Sequence, residues 1–526
     1  MSRVKLPRKK WIYPALIIIL GFSYYASFFN YGINLGDEGY IVDGGERVLR
    51  GQWPVSDFMS YPPGSYFLLA LFFKIFGASL LVSRFLEMTF LIVNGLLAFY
   101  IGKRLMPEKW ALLPPFVLIA FPGFWHKAVL AFSLLLPLSM LLRFLERKTM
   151  TGILYMGWAV GLAMVFRIEA ALFSLITILS SLFCYHLWRD GVLSVNRESM
   201  ASFLKEFILC GLAVLSILTP VLMFYYYQSD LVRFFHSLRE GYGSSNISWV
   251  SGFFEKPSLL SAITKFRIGS LKNLFFFLTL ALYLFILRRV VVHFFIEKRK
   301  DFPLLLPVLI LGVVSLIYSY IAFSKAHLLQ IAATSYILFT FLLYSLWQRK
   351  GLKSTIGLVI LILFLTLHVL DSFKWGAHFA SGSISRLYYI RKEGARLLSS
   401  PQAKIYVGKK EFDTLDGLIQ FFENRQGYLL PIHFESMVNF LTGLENPTRH
   451  TIITPPLLQG MAKQKEVIDD IERFKIKYLL IHRMNWVEEG SFRFRDYAPF
   501  VHEFVLRHYQ LEKEVGDYLI YSRQSV

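Results

Sequence analysis

The feature that most constrains this chain is an alternation of apolar runs of bilayer length with short, positively charged clusters. A helix needs about 20 apolar residues to cross a hydrocarbon core of roughly 30 Å. We count about eleven such runs, within a range of ten to thirteen because several are short. They lie at 11–30, 84–104, 110–125, 128–143, 151–166, 169–188, 207–227, 273–291, 303–323, 328–347 and 354–372. The alternation predicts a polytopic α-helical membrane protein.

The composition excludes an ordinary soluble or disordered protein. Hydrophobic residues make up 55% of the 526 residues and charged residues only 17%, whereas soluble proteins carry about 25% charged residues. The net charge of +20 does not indicate a nucleic-acid partner, because the basic residues cluster between apolar runs, as in cytoplasmic loops. The two cysteines, Cys184 and Cys210, are in or beside apolar runs and are expected to pack as small hydrophobic residues.

The charge pattern predicts one orientation in the plasma (inner) membrane. The basic N-terminus should stay in the cytoplasm, followed by an uncleaved first span, and an odd number of spans leaves the C-terminal part outside. We therefore divide the chain into a membrane domain, 1–372, which contains a first extracytoplasmic loop at 31–83, and a periplasmic or extracellular domain, 373–526. Expected strands at 404–408, 477–482 and 517–521 and a helix at 463–473 make this tail a mixed α/β domain.

The first outside loop carries the clearest chemical motif. Asp37 and Glu38 lie between two glycines in D-E-G-Y at 37–40, which suits a tight turn that presents an acid to a cavity. G-x-x-P-x-x-D-F follows at 51–58 and Y-P-P-G-x-Y at 61–66. The apolar stretch at 64–77 would be about 21 Å long as a helix. It is too short to cross the membrane and is expected to lie at its surface or dip into it.

This ordered set of motifs, with F-x-x-F-G-x-S-L-x-x-x-R at 73–84, resembles bacterial membrane glycosyltransferases of the GT-C fold. The resemblance is to the protein mannosyltransferase and aminoarabinose transferase-like group. It is close over about 30–105, and F-L-T-G-L-E-N-P-T-R at 440–449 and Y-x-L-E-K-E-V-G-D-Y-L-I-Y-S at 509–522 are similar to the C-terminal domains of that group. These enzymes use polyprenyl-phosphate sugars, so the resemblance implies such a donor here.

The resemblance implies that Asp37 is the catalytic carboxylate, with Glu38 beside it. The chemistry agrees, since the leaving phosphate is already acidic and the reaction needs a base near the acceptor hydroxyl and cations near the phosphate. The alternative is that both residues form a solvated surface turn. The leading hypothesis is an inverting glycosyltransferase of the cell envelope that transfers the sugar to a lipid, polysaccharide or protein hydroxyl on the outer face of the membrane.

Charged residues at the outer ends of spans complete the predicted site. Such residues tend to line cavities rather than face lipid, although snorkelling to lipid head groups explains any one of them alone. The expected ligands of the lipid phosphate or sugar are Tyr61, Lys127, Arg167, Glu169, Lys325 and His327.

One departure from the family pattern leaves acceptor activation open. The turn at 122–127 carries no carboxylate, so Glu169 or Asp57 would have to supply a second acid if one is needed. No metal ligand set is compact, and Mg²⁺ or Mn²⁺ bound by Asp37, Glu38 and a third oxygen donor remains an open alternative to a metal-free site. Two other functions also remain open: a ligase that transfers a whole glycan from a polyprenyl diphosphate, and a lipid-sugar transporter or flippase.

Overall fold

The computed structural model describes residues 11–121, 127–189, 192–193, 196–228, 231–242, 256–264, 271–297, 303–321, 328–329, 331–349, 351–379, 384–458, 460–483 and 493–524. By contacts the chain forms two compact units. The first contains 1–27, 87–224 and 253–379, and the second contains 28–86, 225–252 and 380–526. The apolar pattern predicts that the loop at 31–83 belongs to the membrane domain, whereas contacts group it with the tail.

Helices dominate the described part of the chain. In chain order they are α1 (Ile12–Ala26), α2 (Asp37–Leu49), α3 (Gly64–Phe76), α4 (Leu80–Gly102), α5 (Glu108–Ala111), α6 (Leu113–Ala120), α7 (Ala128–Arg147), α8 (Met150–Phe166), α9 (Ile168–Leu187), α10 (Arg197–Gln228), α11 (Leu231–Tyr242), α12 (Leu259–Thr264), α13 (Lys272–Val291), α14 (Leu305–Ile321), α15 (Ala333–Trp347), α16 (Leu352–Phe379), α17 (Ile384–Glu393), α18 (Lys409–Phe422), α19 (Ser436–Thr442), α20 (Met461–Arg473), α21 (Phe494–Tyr497) and α22 (Pro499–His508).

The apolar helices make this a multi-pass membrane protein. Six described helices are long and apolar enough to cross a bilayer: α4, α7, α9, α10, α13 and α16. Five shorter apolar helices have 10–17 residues: α1, α3, α8, α14 and α15. Each of the eleven predicted runs overlaps a described helix, while the number eleven stays a prediction because length and composition qualify six of the described helices.

The first unit is built on close helix packing. Helices α7, α8 and α9 share an apolar core that includes Leu141, Met156 and Ile178. Helix α8 packs closely on α10, because a Cβ on Gly157 would lie only 2.5 Å from the Cys210 carbonyl oxygen. Cys210 is buried there and neither cysteine forms a disulfide.

The second unit contains the β-structure of the tail. In the first unit, β1 (Trp188–Arg189) pairs antiparallel with β2 (Val192–Leu193). The strands of the second unit are β3 (Arg396–Ser400), β4 (Ala403–Val407), β5 (Leu429–Ile432), β6 (Tyr478–His482), β7 (Tyr509–Val515) and β8 (Tyr518–Arg523). Strands β3 and β4 pair antiparallel, and the larger sheet has the order β5-β6-β8-β7, with β5 parallel to β6. The predicted strands and the helix at 463–473 are confirmed as β4, β6, β8 and α20.

A buried apolar core fixes the tail. Side chains of β5, β6 and β8 pack on α20 and α22, with Leu430, Leu479, Val467 and Val505 all fully buried. The spacing of Val467 and Ile471 puts both on the same face of α20, which is why that face is buried while its charged face is not. This core holds the sheet edges and loops that contact the carboxylate motif.

Candidate functional site

Asp37 begins α2, and the polypeptide around it caps the helix. The Asn34 side chain Oδ1 accepts hydrogen bonds from the backbone N–H of Gly36 (3.1 Å) and of Asp37 (2.9 Å). Asp37 itself is half-buried in the first turn. The N-terminus of a helix carries a partial positive charge that stabilises a carboxylate placed there. The motif therefore presents a negatively charged acid at a fixed helix start.

The Glu38 carboxylate is paired with Arg84, which was not among the predicted site residues. Arg84 Nε and Nη2 donate to the two oxygens of the Glu38 carboxylate, at 2.7 and 3.0 Å, and both side chains are buried. Both partners are also held by the backbone, because Glu38 Oε2 accepts from Asn34 N (3.1 Å) and Arg84 Nη2 donates to Gly32 O (2.6 Å). These contacts favour a positioning role for Glu38, whose predicted catalytic role no contact tests.

The signal for Arg84 was present in the sequence but was not recognised as part of the site. Arg84 is the last residue of the motif at 73–84, and it stands at the start of α4. The third guanidinium nitrogen of Arg84, Nη1, donates to the carbonyl oxygen of Phe29 at 2.7 Å. One side chain thus joins the segment before the carboxylate motif to Glu38. This explains physically why the motifs occur together in one loop.

The glycines of the motif allow the tail to pack directly on α2. A Cβ on Gly39 would lie 2.2 Å from the backbone nitrogen of Met437, and one on Gly36 would lie 2.5 Å from the Phe434 ring. The Met437 N–H, at the start of α19, donates to the Leu35 carbonyl at 3.1 Å. The close approach of α19 therefore requires glycine at position 39, and it places the loop before α19 against the helix start that carries Asp37.

The tail motif at 440–449 contacts the last turn of α2. Arg47 is completely buried, and its Nη2 donates to the Thr448 carbonyl at 2.5 Å while its guanidinium lies 4.6 Å from the centre of the Phe58 ring. Burial lowers the pKa of Arg47 to about 10, although Asp43 acts in the opposite direction. Thr448 belongs to the tail motif at 440–449, so residues 401 positions apart in sequence form one contact.

The C-terminal end of α2 carries a looser charged cluster. Arg50 lies 3.5 Å from Glu46 and 3.8 Å from both Asp43 and Glu445. Burial raises the pKa of Asp43, and it raises the pKa of Glu46 to about 7, in each case against the lowering effect of Arg50. These carboxyl groups hold protons more strongly than free side chains do.

Tyr61 and Asp57 occupy the loop between α2 and α3. The Tyr61 ring meets the Tyr40 ring edge-on at 5.4 Å, one helical turn beyond Asp37. The Tyr61 N–H donates to the Tyr66 hydroxyl at 3.3 Å, and Asp57 accepts from the Trp53 N–H at 2.7 Å. Tyr61 thus contacts the carboxylate helix, while Asp57 stabilises the turn that contains it.

Of the four predicted cations in the first unit, Arg167 and Lys127 lie in the described part of the chain. Arg167, at the junction of α8 and α9, is buried, and its Nε donates to Glu169 Oε1 at 2.7 Å. The other Glu169 oxygen is buried without a hydrogen-bond partner among the described residues. Lys127 is half-buried immediately before α7. Lys325 and His327 lie outside the described residues, so their predicted roles stay predictions.

The carboxylate pair does not fit a divalent cation. Both oxygens of Glu38 already accept hydrogen bonds from Arg84, which removes Glu38 from the predicted set of three oxygen ligands. In the described ranges, no group of three or more His, Cys, Asp or Glu side chains has a geometry that could hold a metal ion. No chemical step is therefore assigned to Mg²⁺ or Mn²⁺ at this position.

Solved structures with the same fold include two kinds of membrane enzyme. The archaeal oligosaccharyltransferase AglB from Archaeoglobus fulgidus, in complex with an inhibitory peptide and a dolichol-phosphate, matches 98% of this chain and 75% of its own, at 11% identity and a TM-score of 0.55. A second AglB structure, with Zn and sulfate, matches 97% of this chain and 73% of its own, at 12% identity and a TM-score of 0.54.

ArnT from Cupriavidus metallidurans, bound to undecaprenyl phosphate, matches 98% of this chain and 99% of its own, at 10% identity and a TM-score of 0.52. No protein-family model and no curated protein matches the sequence. The structural matches cover nearly the whole chain. They show that this chain has the GT-C fold, with a small sheet domain at its C-terminal end, as the motifs predicted.

Proposed function

We propose that this protein is an inverting glycosyltransferase that moves a sugar from a polyprenyl-phosphate carrier to a hydroxyl group. The observation that carries the proposal is the start of α2, where Asp37 is presented by a capped helix while Glu38 is held by Arg84. The GT-C fold supports it, because AglB is described as an oligosaccharyltransferase with dolichol-phosphate and ArnT as bound to undecaprenyl phosphate. The acceptor is a lipid, a glycan or a protein.

In the proposed reaction Asp37 is the general base. Its carboxylate takes the proton of the acceptor hydroxyl as the acceptor oxygen attacks the anomeric carbon of the sugar. The bond between that carbon and the phosphate oxygen breaks, and its electron pair leaves with the polyprenyl phosphate. A single displacement inverts the anomeric configuration. The Arg84–Glu38 pair fixes the first turn of α2 and so keeps Asp37 oriented.

Arg167, Lys127, Lys325 and His327 are proposed to stabilise the departing phosphate. Arginine suits this role because its planar donors bind phosphate oxygens in pairs. The hydrogen bond to Glu169 orients the Arg167 guanidinium. Tyr61, with its ring against Tyr40, is proposed to bind the donor beside the carboxylate helix.

We further propose that the reaction takes place on the outer face of the plasma (inner) membrane. The basic clusters between spans support a cytoplasmic N-terminus and an extracytoplasmic tail. In this orientation the carboxylate loop and the tail share the outer side. Protease protection of a tag at each terminus in sealed right-side-out vesicles tests it, and cleavage of an N-terminal tag under those conditions would contradict it.

The function is tested by product analysis in proteoliposomes. Wild-type protein receives a panel of polyprenyl-phosphate monosaccharides, polyprenyl-diphosphate glycans and native membrane extract, and products are followed by mass spectrometry. We expect one monophosphate donor to be consumed, and Asp37→Asn to lower the rate by roughly a hundredfold or more. Arg167→Gln should raise the KM for the donor by roughly tenfold.

The matched control is Asp413→Asn, which changes an exposed carboxylate on α18. It should leave the rate unchanged. Full activity of a folded Asp37→Asn variant would refute the base assignment. Consumption of diphosphate glycans alone would favour an oligosaccharide ligase, a reaction type that the match to AglB also supports. Movement of labelled lipid without any chemical change would favour a transporter.

A further inference from the structure

A row of polar and aromatic side chains lies at one edge of the tail sheet. Ile432 of β5 pairs with Ile481 of β6 in parallel register, so His433 and His482 follow at the same edge. Tyr518, at the start of antiparallel β8, pairs with His482, and their rings meet edge-on at 5.0 Å. Ligands commonly bind outside the carboxyl ends of parallel strands, where loops leave the sheet.

Two further groups complete this row, which we call the sheet-edge cluster. The Glu435 carboxyl is buried, lies close enough to Tyr497 and Tyr518 to influence both phenols, and accepts from the Phe434 N–H at 2.8 Å. The Tyr497 hydroxyl is buried and has no hydrogen-bond partner within the described part of the chain. The cluster consists of His433, Glu435, His482, Tyr497 and Tyr518.

The backbone at His433 is held in an unusual conformation. Its φ is +119°, in a region that residues other than glycine rarely adopt. The His433 carbonyl accepts from the Ile453 N–H at 2.8 Å, which anchors the turn. Strain of this kind persists only where the surroundings enforce it, and it concentrates at functional sites.

Burial lowers the charge that His433 and Glu435 carry at neutral pH. Burial, together with His482, lowers the pKa of His433 to about 4, so its imidazole is neutral. Burial raises the pKa of Glu435 to about 7, which leaves a large fraction of this carboxyl protonated. A neutral imidazole and a protonated carboxyl both donate and accept hydrogen bonds, as hydroxyl groups also do. Such a surface matches sugar hydroxyls better than phosphate or a charged peptide.

The cluster adjoins the helix start that carries Asp37. Phe434, which lies between His433 and Glu435 in sequence, packs against Gly36, and its ring is 6.1 Å from that of Tyr40. Met437, two residues after Glu435, donates to the Leu35 carbonyl. A molecule bound at the cluster would therefore reach toward the proposed base across the Phe434 ring.

We propose that the sheet-edge cluster binds the hydroxyl groups of a neutral glycan, which is the acceptor. This proposal rests on the proposed function and adds the class of acceptor to it. Half-buried imidazoles at an aromatic-rich edge would supply hydrogen bonds, the Tyr518 ring edge would supply apolar contact, and Tyr497 would donate its unused hydroxyl hydrogen. The tail would thereby hold the acceptor, while Tyr61 and the cations proposed above would hold the donor.

Binding is measured without requiring any reaction. Full-length wild-type protein and the Asp37→Asn variant are placed in nanodiscs and titrated with maltohexaose, mannohexaose and galactan hexaose, followed by saturation-transfer NMR. An anionic hexasaccharide and a Ser/Thr-rich peptide serve as competing chemical classes. We expect both proteins to bind at least one neutral hexaose, and Tyr497→Phe and His482→Phe to weaken that binding by roughly tenfold.

Matched controls replace exposed residues of the same types. Tyr388→Phe and His508→Phe should bind like wild type, since both side chains are exposed. Thermal unfolding of every variant is measured, and a Tyr497→Phe protein that unfolds like wild type but loses glycan binding supports the proposal. Absence of hexaose binding, preference for the anionic probe or the peptide, or equal binding by all variants would overturn it. The proposed function is tested separately in proteoliposomes, and it is refuted if no donor is consumed there.

Discussion

The two ends of α2 bury charge in different ways. At the start, Arg84 donates to both oxygens of Glu38 at 2.7 and 3.0 Å, and neither side chain is more than 6% exposed. At the other end, the closest approaches of Arg50 to Glu46 and of Arg47 to Asp43 are 3.5 and 4.0 Å. The first is a hydrogen-bonded ion pair, whereas at the second end the charged groups attract one another without hydrogen bonds between them, although Arg47 donates to the Thr448 carbonyl.

The comparison of the two ends of α2 indicates which end can hold a reactive group in one orientation. A buried pair with good hydrogen-bond geometry fixes both partners, and losing either one leaves an uncompensated charge. At the looser end, burial raises the pKa of Asp43, and it raises the pKa of Glu46 to about 7, so the Glu46 carboxyl changes protonation near neutral pH. Asp37 stands at the fixed end, next to Glu38.

The largest expected effect comes from breaking the fixed end. Arg84→Ala leaves the Glu38 carboxylate buried without its partner and removes donors from the carbonyls of Phe29 and Gly32. Removing one member of a buried ion pair costs about 3–5 kcal/mol. We expect a large fall in the unfolding temperature of the detergent-solubilised protein, measured by tryptophan fluorescence.

The comparison variant is Arg50→Ala, at the looser end of the same helix. Its side chain is 25% exposed and its contacts are 3.5–3.8 Å long. Partly exposed pairs contribute about 0–1 kcal/mol. If the two variants lose equal stability, the distinction between the ends of α2 is wrong.

A smaller effect is expected from adding one methyl group at the fixed end. Gly39→Ala places a Cβ 2.2 Å from the Met437 nitrogen, a backbone atom that cannot move without shifting α19. Overpacking of this kind typically costs about 1–3 kcal/mol. The unfolding temperature should fall, and the transfer rate should fall with it because Asp37 is carried by the same turn.

Gly211→Ala is the control, because a Cβ there meets no atom within 4 Å on α10. It should be neutral or stabilise the protein by about 0.5–1 kcal/mol, since alanine is the better helix residue. A Gly39→Ala protein as stable and as active as Gly211→Ala would show that α2 and α19 do not depend on close contact.

The smallest effect is a pH dependence from the looser end. Burial raises the pKa of Glu46 from 4.5 to about 7. The folded state therefore holds a proton that the unfolded state releases, so stability is greatest below pH 4.5 and falls as pH rises to about 7. The two pKa values set a ceiling of about 3 kcal/mol. Partial exposure and the Arg50 pair reduce this to roughly 1 kcal/mol.

Glu46→Gln should flatten the stability profile between pH 5 and 8 relative to wild type, as followed by chemical denaturation at each pH. Glu423→Gln, which changes an exposed carboxyl immediately after α18, should leave the profile unchanged. A Glu46→Gln profile parallel to that of wild type would mean that the end of α2 does not hold its proton in the folded protein.

Local patterns predicted the elements of this fold well. The run at 128–143 became α7, and the strands expected at 404–408 and 477–482 became β4 and β6. Apolar length and the alternation of side chains are properties of neighbouring residues, so a single sequence contains them. The grouping of the loop at 31–83 with the tail depends instead on contacts such as Arg47 with Thr448, for which neighbouring residues give no sign.

The candidate site was predictable only in part for a related reason. Asp37 and Glu38 are adjacent acids with the same local signal, and only packing distinguishes the one that Arg84 holds from the one at the first position of the helix. The sequence contains no local signal for the sheet-edge cluster, because its members come from four separate segments between 433 and 518. Its histidines become neighbours through the register of β5 and β6 alone.

The second unit is assembled from three separated stretches of the chain, and this has a consequence for biogenesis. The loop that ends at 86 finds its partners only after residue 380 has been synthesised, about 300 residues later. At translation rates of about 5–20 residues per second, roughly 15–60 s separate the synthesis of the carboxylate motif from that of the tail. During that interval Arg47 and Gly39 lack their native partners, so a ribosome that stops early releases a chain whose first loop is a target for quality-control proteases.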